Sequence, residues 1–319
     1  CVGVTSGGRV LGALGGAVVQ GLRGIQLCEG SNIVLAGDIA ALVVRQVTPG
    51  IRVGEEGDGS VLLRVGAGEN WHNLVVWTLH HGFYGLENLA LIPGTAGAAP
   101  IQNIGAYGVE LQSVLQGVSA VSVDDGKPLD LTRQDCQLAY RDSIFKHSLR
   151  DQLFITSIDL RLSKNSDVNI TYPALSAALD VTGITQPTPQ QVFDAVVSIR
   201  SSKLPDPSRQ PNAGSFFKNP IVSKAVAKDL ADRFTVMPQY EQADGRIKLP
   251  AAWMIDHCGW KGVRRGELGV HPEHALVLVN YGAGDGAQLL ALANDITDSV
   301  KAMFGVELDI EPRVYGAAA

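Results

Sequence analysis

The chain has 319 residues, 45% hydrophobic and 18% charged, with a formal net charge of -6. This excludes a disordered polypeptide, allows roughly two or three domains, and gives no support to a nucleic-acid partner. No apolar run reaches the length of a membrane span, and the four cysteines form no C-x-x-C pair, so neither a zinc site nor a redox dithiol is indicated. A reducing cytosol is the expected setting. No signal peptide is expected, and Val2–Thr5 reads as a strand, which argues against a lipoprotein tether on Cys1.

In chain order, strands are expected at Val2–Thr5, Ile25–Cys28, Ile33–Leu35 and Ala41–Val44, with a helix over Val10–Leu22. Val61–Val65 opens a second region, followed by a helix at Asn70–His80. Residues 83–110 are rich in Gly, Ala, Asn and Pro without periodicity, which predicts a structured loop with one short helix. Strands follow at Leu115–Val123 and Phe154–Leu162. Thr188-Pro189-Gln190-Gln191 carries an N-cap, a first-turn proline and a glutamine at the third helical position, so a helix runs from there to about Ser202. Pro205 and Pro207 end it and mark a domain boundary. Helices near 222–233 and 287–303 and strands at 275–280 and 306–310 complete the chain.

Gly282-Ala-Gly284-Asp-Gly-Ala287 has the G-x-G-x-x-A form of a dinucleotide fingerprint. Too few residues follow it to complete a sheet, and a glycine-rich connection is the favoured reading. The run from Ile92 to Gly108 can line an anion or cofactor with backbone amides. Glu29-Gly30-Ser31-Asn32 stands at a strand end, where backbone N–H groups bind phosphate. Arg141-Asp142 reads either as an ion pair or as a guanidinium aimed at a carboxylate. His271-Pro-Glu-His274 resembles a metal pair, but Pro272 and the lack of a third ligand argue against it, and no metal is expected.

Eight segments, in order, resemble the UDP-N-acetylenolpyruvoylglucosamine reductase family: GAGENWHNLV (66–75), GLENLALIPGTAGAAPIQNIGAYGVEL (85–111), YRDSIFK (140–146), KLPDP (203–207), NAGSFFKNP (212–220), KLPAAWMID (248–256), VHPEHALVLVN (270–280) and IEPRVYG (310–316). The likeness spans about 25 to 316 and includes, around Thr171-Tyr172-Pro173, the longer insertion of the subfamily with an extra tyrosine-bearing loop. It implies an α+β fold. A two-lobed FAD-binding domain of the vanillyl-alcohol-oxidase/PCMH-like type (1–50 and 51–203) precedes a C-terminal α/β substrate-binding domain (204–319) whose last residues pack back on the first lobe.

The activity implied is NADPH-dependent reduction of UDP-N-acetylglucosamine enolpyruvate through noncovalent FAD, giving UDP-N-acetylmuramate, by a cytoplasmic bacterial monomer acting on a small molecule without membrane or nucleic acid. Carried over position by position, the resemblance makes Ser215 the proton donor, Arg141 the cation at the substrate carboxylate and Glu311 its charge-organising partner. It implies FAD contacts from Glu29, Gly30, Ser31, Asn32, Pro93, Gly94, Thr95, Gly97, Gln102, Asn103, Gly105, Ala106, Tyr107 and Arg200. Substrate contacts fall to Tyr172, Lys203, Lys218, Asn219, Tyr240 and His274. Departures are Cys28, where the family has glycine, His274, where glutamine is common, and a start after the usual first segment. The first and last bear on FAD affinity and motivate the competing reading, a catalytically silent flavin or nucleotide-sugar binder.

Overall fold

The structure is a computed structural model that describes residues 2–4, 12, 23–57 and 59–316. The expected helix over Val10–Leu22 lies, apart from position 12, outside the described residues. The chain forms two compact units, one of residues 1–30 and 40–200, the other of residues 31–39 and 201–319.

The first unit is built on a five-stranded antiparallel sheet, ordered Pro128–Thr132, Leu115–Ser122, Leu153–Ser163, Ser60–Gly66, Ile51–Gly57. Strand 60–66 alternates as a half-buried strand must: Val61, Leu63 and Val65 are fully buried while Arg64 faces water. Arg64 lies opposite Asp159 on the neighbouring strand and grips both its oxygens, at 2.8 and 2.7 Å. A parallel sheet, Val2–Val4 beside Ala41–Gln46 beside Arg23–Leu27, completes the framework. Gln46 joins the two sheets, its buried amide donating to the Ile155 carbonyl.

Helix Trp71–His80 starts at Asn70, whose side chain accepts from the Asn73 N–H. It buries Trp71, Leu74, Val75 and Thr78, one stripe at helical spacing. The Trp71 indole donates to the Leu89 carbonyl and so fixes the loop that follows. That loop holds two short 3-10 helices, Glu87–Leu89 and Ala99–Gln102, and a hairpin of 105–106 with 109–110, one helix more than expected. Strands 51–57 and 128–132 and helix Pro173–Val181 were not anticipated. Helix Pro189–Lys203 was, and its start is reciprocal: the Gln191 N–H donates to the Thr188 hydroxyl, and the Thr188 N–H to the Gln191 side chain.

The second unit pairs Asn212–Ser215, Val277–Asn280, Leu268–Val270 and Arg264–Arg265 as an antiparallel sheet. Helix Gly286–Phe304 buries Leu292, Ala293, Ile296, Val300 and Phe304 in the same core as Leu276, Leu278, Phe216 and Phe217. Arg313–Tyr315 runs parallel to Ile33–Leu35, which joins residues from the two ends of the chain within this unit. The strand expected at 306–310 does not form. Only Ile310 makes a bridge, with Phe217. Helix Ala251–His257 was not anticipated. Among the described residues no helix is long and apolar enough to cross a membrane.

Candidate active site

In the first unit the glycine- and asparagine-rich loop is laid against the sheet by its backbone. Trp71 N–H donates to the Gly94 carbonyl, Ala96 N–H to Glu69, and Gly97 N–H to Ala67. A side chain at Gly97 would stand 2.5 Å from the Ala67 Cβ, so this glycine permits close approach of chain to chain. Pro93 is exposed, Thr95 is buried, and Gln102 and Ala106 are half-buried. Glu29 is exposed, its carboxylate receiving the Asn70 amide at 3.1 Å, and Gly30 beside it has a positive φ of 72°. The turn continues through Ser31 and Asn32, which cluster with the second unit, where the Asn32 carbonyl accepts the Arg313 N–H. The Cys28 thiol stands beside Thr95. Burial, opposed by the Thr95 hydroxyl, raises its pKa.

Left-handed backbone at residues other than glycine collects in this unit: Leu91, Asn103, Tyr107 and Arg141 have φ of 55°, 43°, 47° and 52°. Each costs on the order of 1–2 kcal/mol and needs its surroundings to hold it. For Asn103 the holding is complete. Its buried side chain donates to Glu110 and to the Ala139 carbonyl and accepts the Gln112 N–H, so it secures the loop and has no amide to offer a ligand. Leu91 is held by the His72 ring, which accepts its N–H, and by Arg200, which donates to its carbonyl at 3.2 Å.

Arg141 occupies the third position of a tight turn closed by mutual backbone bonds between Ala139 and Asp142, a position that usually takes glycine. Its guanidinium donates to the Gly105 carbonyl at 2.7 Å, its own carbonyl accepts Lys146, and the Ser143 hydroxyl ties the turn to Ile101. Asp142 pairs with His147 at 2.8 Å. Arg200 sits close enough for the charge of Arg141 to bear on it. Burial, opposed by a bond to the Tyr107 side chain and reinforced by Arg141, pulls the Arg200 pKa below the usual guanidinium range. Burial also raises the Tyr107 hydroxyl, against the pull of Arg200. The Tyr172 ring meets Tyr107 edge-on with centroids 5.4 Å apart. Two cations, two tyrosines and a bent-back loop carbonyl thus converge in one unit, a setting for a ligand with both anionic and aromatic parts.

In the second unit Ser215 ends its strand, half-buried, opposite Val277 and one residue after Gly214 at φ 70°. The Phe216 carbonyl accepts the Glu311 N–H and the Asp309 carbonyl accepts the Lys218 N–H. Ser215, Lys218 and Glu311 therefore stand on paired segments. Asn219 accepts the Ala251 N–H and so starts helix 251–257. Tyr240 and Lys203 are exposed. The His274 and His271 rings accept the Leu276 and Glu273 N–H groups, each through Nδ1. No cluster of three or more His, Cys, Asp or Glu among the described residues could hold a metal ion. The glycine run at 282–286 follows a strand whose two neighbours are both antiparallel, so it does not open the parallel unit of a dinucleotide fold. Its helix start is closed by Asp285 and Gln288, and a side chain at Gly286 would strike the Leu35 carbonyl at 1.9 Å.

Residues 206–315 match the model of the UDP-N-acetylenolpyruvoylglucosamine reductase C-terminal domain, and residues 2–132 match that of an FAD binding domain. The chain is 47% identical to the UDP-N-acetylenolpyruvoylglucosamine reductase of Chromobacterium violaceum, over 89% of this chain and 84% of that one. It is 46% identical to that of Pseudomonas aeruginosa, over 95% and 89%. The chain belongs to the UDP-N-acetylenolpyruvoylglucosamine reductase family. A solved reductase of this name from Thermus caldophilus shares the fold at TM-score 0.65 and 21% identity, covering 98% of this chain and 91% of that one.

Family membership makes this an α+β flavoprotein, and the residues present fit FAD. Among the described residues Gln26 Nε2 and Arg200 Nε are buried without a hydrogen-bond partner, and the buried Thr95 Oγ1 has the Cys28 thiol beside it. Such atoms are costly unless a ligand answers them, and a cofactor with phosphate and ring-carbonyl oxygens does so. Support residues that sequence reasoning did not single out are Asn88, buried, and His72, half-buried. Their signal, a polar side chain bonded to distant backbone, exists only in three dimensions.

Proposed function

We propose that the chain reduces UDP-N-acetylglucosamine enolpyruvate to UDP-N-acetylmuramate, with NADPH as electron source and FAD held by the 29–32 turn, the 93–97 and 102–107 segments and Arg200. The observation that carries this is Arg141, a charged residue kept on strained backbone by Gly105, Lys146 and Ser143 in a chain of this family. Strain of that kind marks a side chain whose position matters.

When bound, FAD would supply hydride chemistry to the substrate double bond, with NADPH as the electron source. Arg141 faces the negative charge that then develops toward the substrate carboxylate and lowers its energy in a site of low dielectric. Glu311 is the charge-organising partner of Arg141, and the second carbon of the double bond then needs a proton. Ser215 gives that carbon its proton, with Lys218 lowering the cost of the serine alkoxide. The Ser215 hydroxyl is a proton donor here, so no histidine is required to make it a nucleophile. Lys203, Asn219 and Tyr240 bind the diphosphate, Lys218 and His274 make further substrate contacts, and Tyr172 covers the uridine end. The proposal includes a cytoplasmic setting, supported by the free thiols of Cys28, Cys136 and Cys258, and a monomer without membrane or nucleic-acid partner.

The test is the visible spectrum of the purified protein under anaerobic conditions. Flavin bands should bleach with NADPH and return when the enolpyruvyl sugar is added. A colourless protein that takes up no added FAD overturns the proposal in favour of a silent binder.

A further inference from the structure

We infer that Asn88, acting with Asn169, is a positioning residue that clamps the Tyr172 segment to the cofactor loop and thereby sets substrate affinity. Asn88 is 1% exposed and spends both protons of its side-chain amide on main-chain carbonyls far apart in sequence, Tyr107 at 2.9 Å and Asn169 at 2.8 Å. Asn169 answers with its own side chain. Its amide donates to the Gly108 carbonyl at 3.2 Å, and its oxygen accepts the Thr171 N–H at 3.0 Å and the Thr171 hydroxyl at 2.7 Å. Five bonds therefore run from two asparagines to the residues on either side of the Tyr107–Tyr172 ring contact.

The chemistry suits a clamp. A buried amide with two carbonyl acceptors leaves those carbonyls unpaired if it is removed, and irregular backbone at Tyr107 has no sheet ladder to satisfy it. Pro173 closes the segment by starting helix Pro173–Val181 directly after Tyr172. Tyr172 is 44% exposed, and the Asn169 bonds to Thr171 fix the backbone immediately before it. The pairing also links the segment to Arg200 through Tyr107, which bonds that guanidinium.

The inference rests on the proposed reductase function, and its test separates the two. FAD-loaded wild type, Asn88→Ala, Asn169→Ala and Tyr172→Ala are assayed with the enolpyruvyl sugar, and each asparagine change is repeated in the Tyr172→Ala background. Asn169 is a partly exposed loop residue, so its variant folds even where Asn88→Ala does not. Each asparagine variant should raise KM about tenfold with kcat within about twofold, the loss of one or two hydrogen bonds. Neither should raise it further once Tyr172 is alanine. Backbone hydrogen exchange, measured on the FAD-loaded protein without substrate, should quicken together at residues 107–110 and 169–172 in the asparagine variants. An unchanged KM in Asn169→Ala, an equal rise with and without Tyr172, or exchange quickening on one side alone overturns the clamp while wild-type turnover leaves the function standing. A wild type that binds FAD but leaves the sugar unreduced fails the function, and the substrate role of the clamp with it.

Discussion

The Glu311 N–H donates to the Phe216 carbonyl at 2.9 Å, one residue past Ser215. The Phe217–Ile310 bridge and the Lys218–Asp309 bond continue this pairing, and the fully buried rings of Phe216 and Phe217 anchor it. Residues almost a hundred positions apart are thus presented by one short backbone ladder, which holds them in fixed relation.

From this pairing, Ser215→Ala should lower kcat by about 10²–10⁴-fold, the usual contribution of a positioned proton donor. Flavin reduction by NADPH in rapid mixing should be unchanged, because that half-reaction uses no proton from Ser215. Turnover at the wild-type rate would remove Ser215 from the mechanism.

Arg141 offers a test of strain against function. Arg141→Gly relieves a left-handed backbone at about 1–2 kcal/mol and forfeits bonds that include those to the Gly105 and Asn103 carbonyls, together worth about 1–2 kcal/mol. The two nearly cancel, so denaturant unfolding should move by about 1 kcal/mol or less. Activity should fall at least about 10²-fold with the loss of the cation. Arg141→Lys keeps the charge but loses the fork, and should recover only part of it. A large loss of stability in Arg141→Gly would mean that the side chain is mainly structural.

In the second unit helices 224–233 and 286–304 and strands 33–35 and 277–280 were legible in sequence, whereas helix 251–257 and strands 212–215, 268–270 and 313–315 were not. Asp285 and Gln288 bracket the last helix, Gly305 ends it, and the apolar spacing between them is that of a helix packed on a sheet. The missed strands 51–57 and 128–132 are both edges of the five-stranded sheet. Their residues are mostly exposed, with Glu55 and Glu56 in one and Pro128 in the other, so neither shows the alternation that reveals a half-buried strand. At the site the residues proposed to contact ligand come from the motifs that carry the family resemblance. Asn103 was legible as important but not for what its side chain does, because its three partners lie at 110, 112 and 139.

His72 predicts a pH dependence of folding. Burial and the charge of Arg200 lower its pKa from the ordinary value, and its Nδ1 must stay unprotonated to accept the Leu91 N–H. The unfolded chain therefore binds this proton more readily than the folded one. The stabilisation is full above about pH 6.5 and is lost as pH falls through the lower folded value. His271 shifts in the same direction and adds to it. His72→Gln, which keeps an acceptor but cannot titrate, should flatten part of the fall in thermal midpoint between about pH 7 and pH 5. An identical pH profile in the two proteins would assign the effect elsewhere.

The glycines at 282–286 separate packing from nucleotide recognition. A methyl group at Gly286 would meet the Leu35 carbonyl at 1.9 Å, a backbone atom that cannot swing aside, and Leu35 belongs to the strand paired with Arg313–Tyr315. Gly286→Ala should therefore destabilise the protein by about 1–3 kcal/mol, the cost of overpacking a fixed neighbour. Under conditions where the variant is folded, NADPH should still reduce the bound flavin with an unaltered saturation curve. Were the run a dinucleotide fingerprint, Gly284→Ala, at its second glycine, where the added methyl meets only movable side-chain atoms of Leu268 and Asn280, would weaken NADPH directly, and saturation would shift to higher concentration with the unfolding curve little moved. Denaturant unfolding and flavin reduction measured on both variants distinguish the two, because each account moves a different one of them.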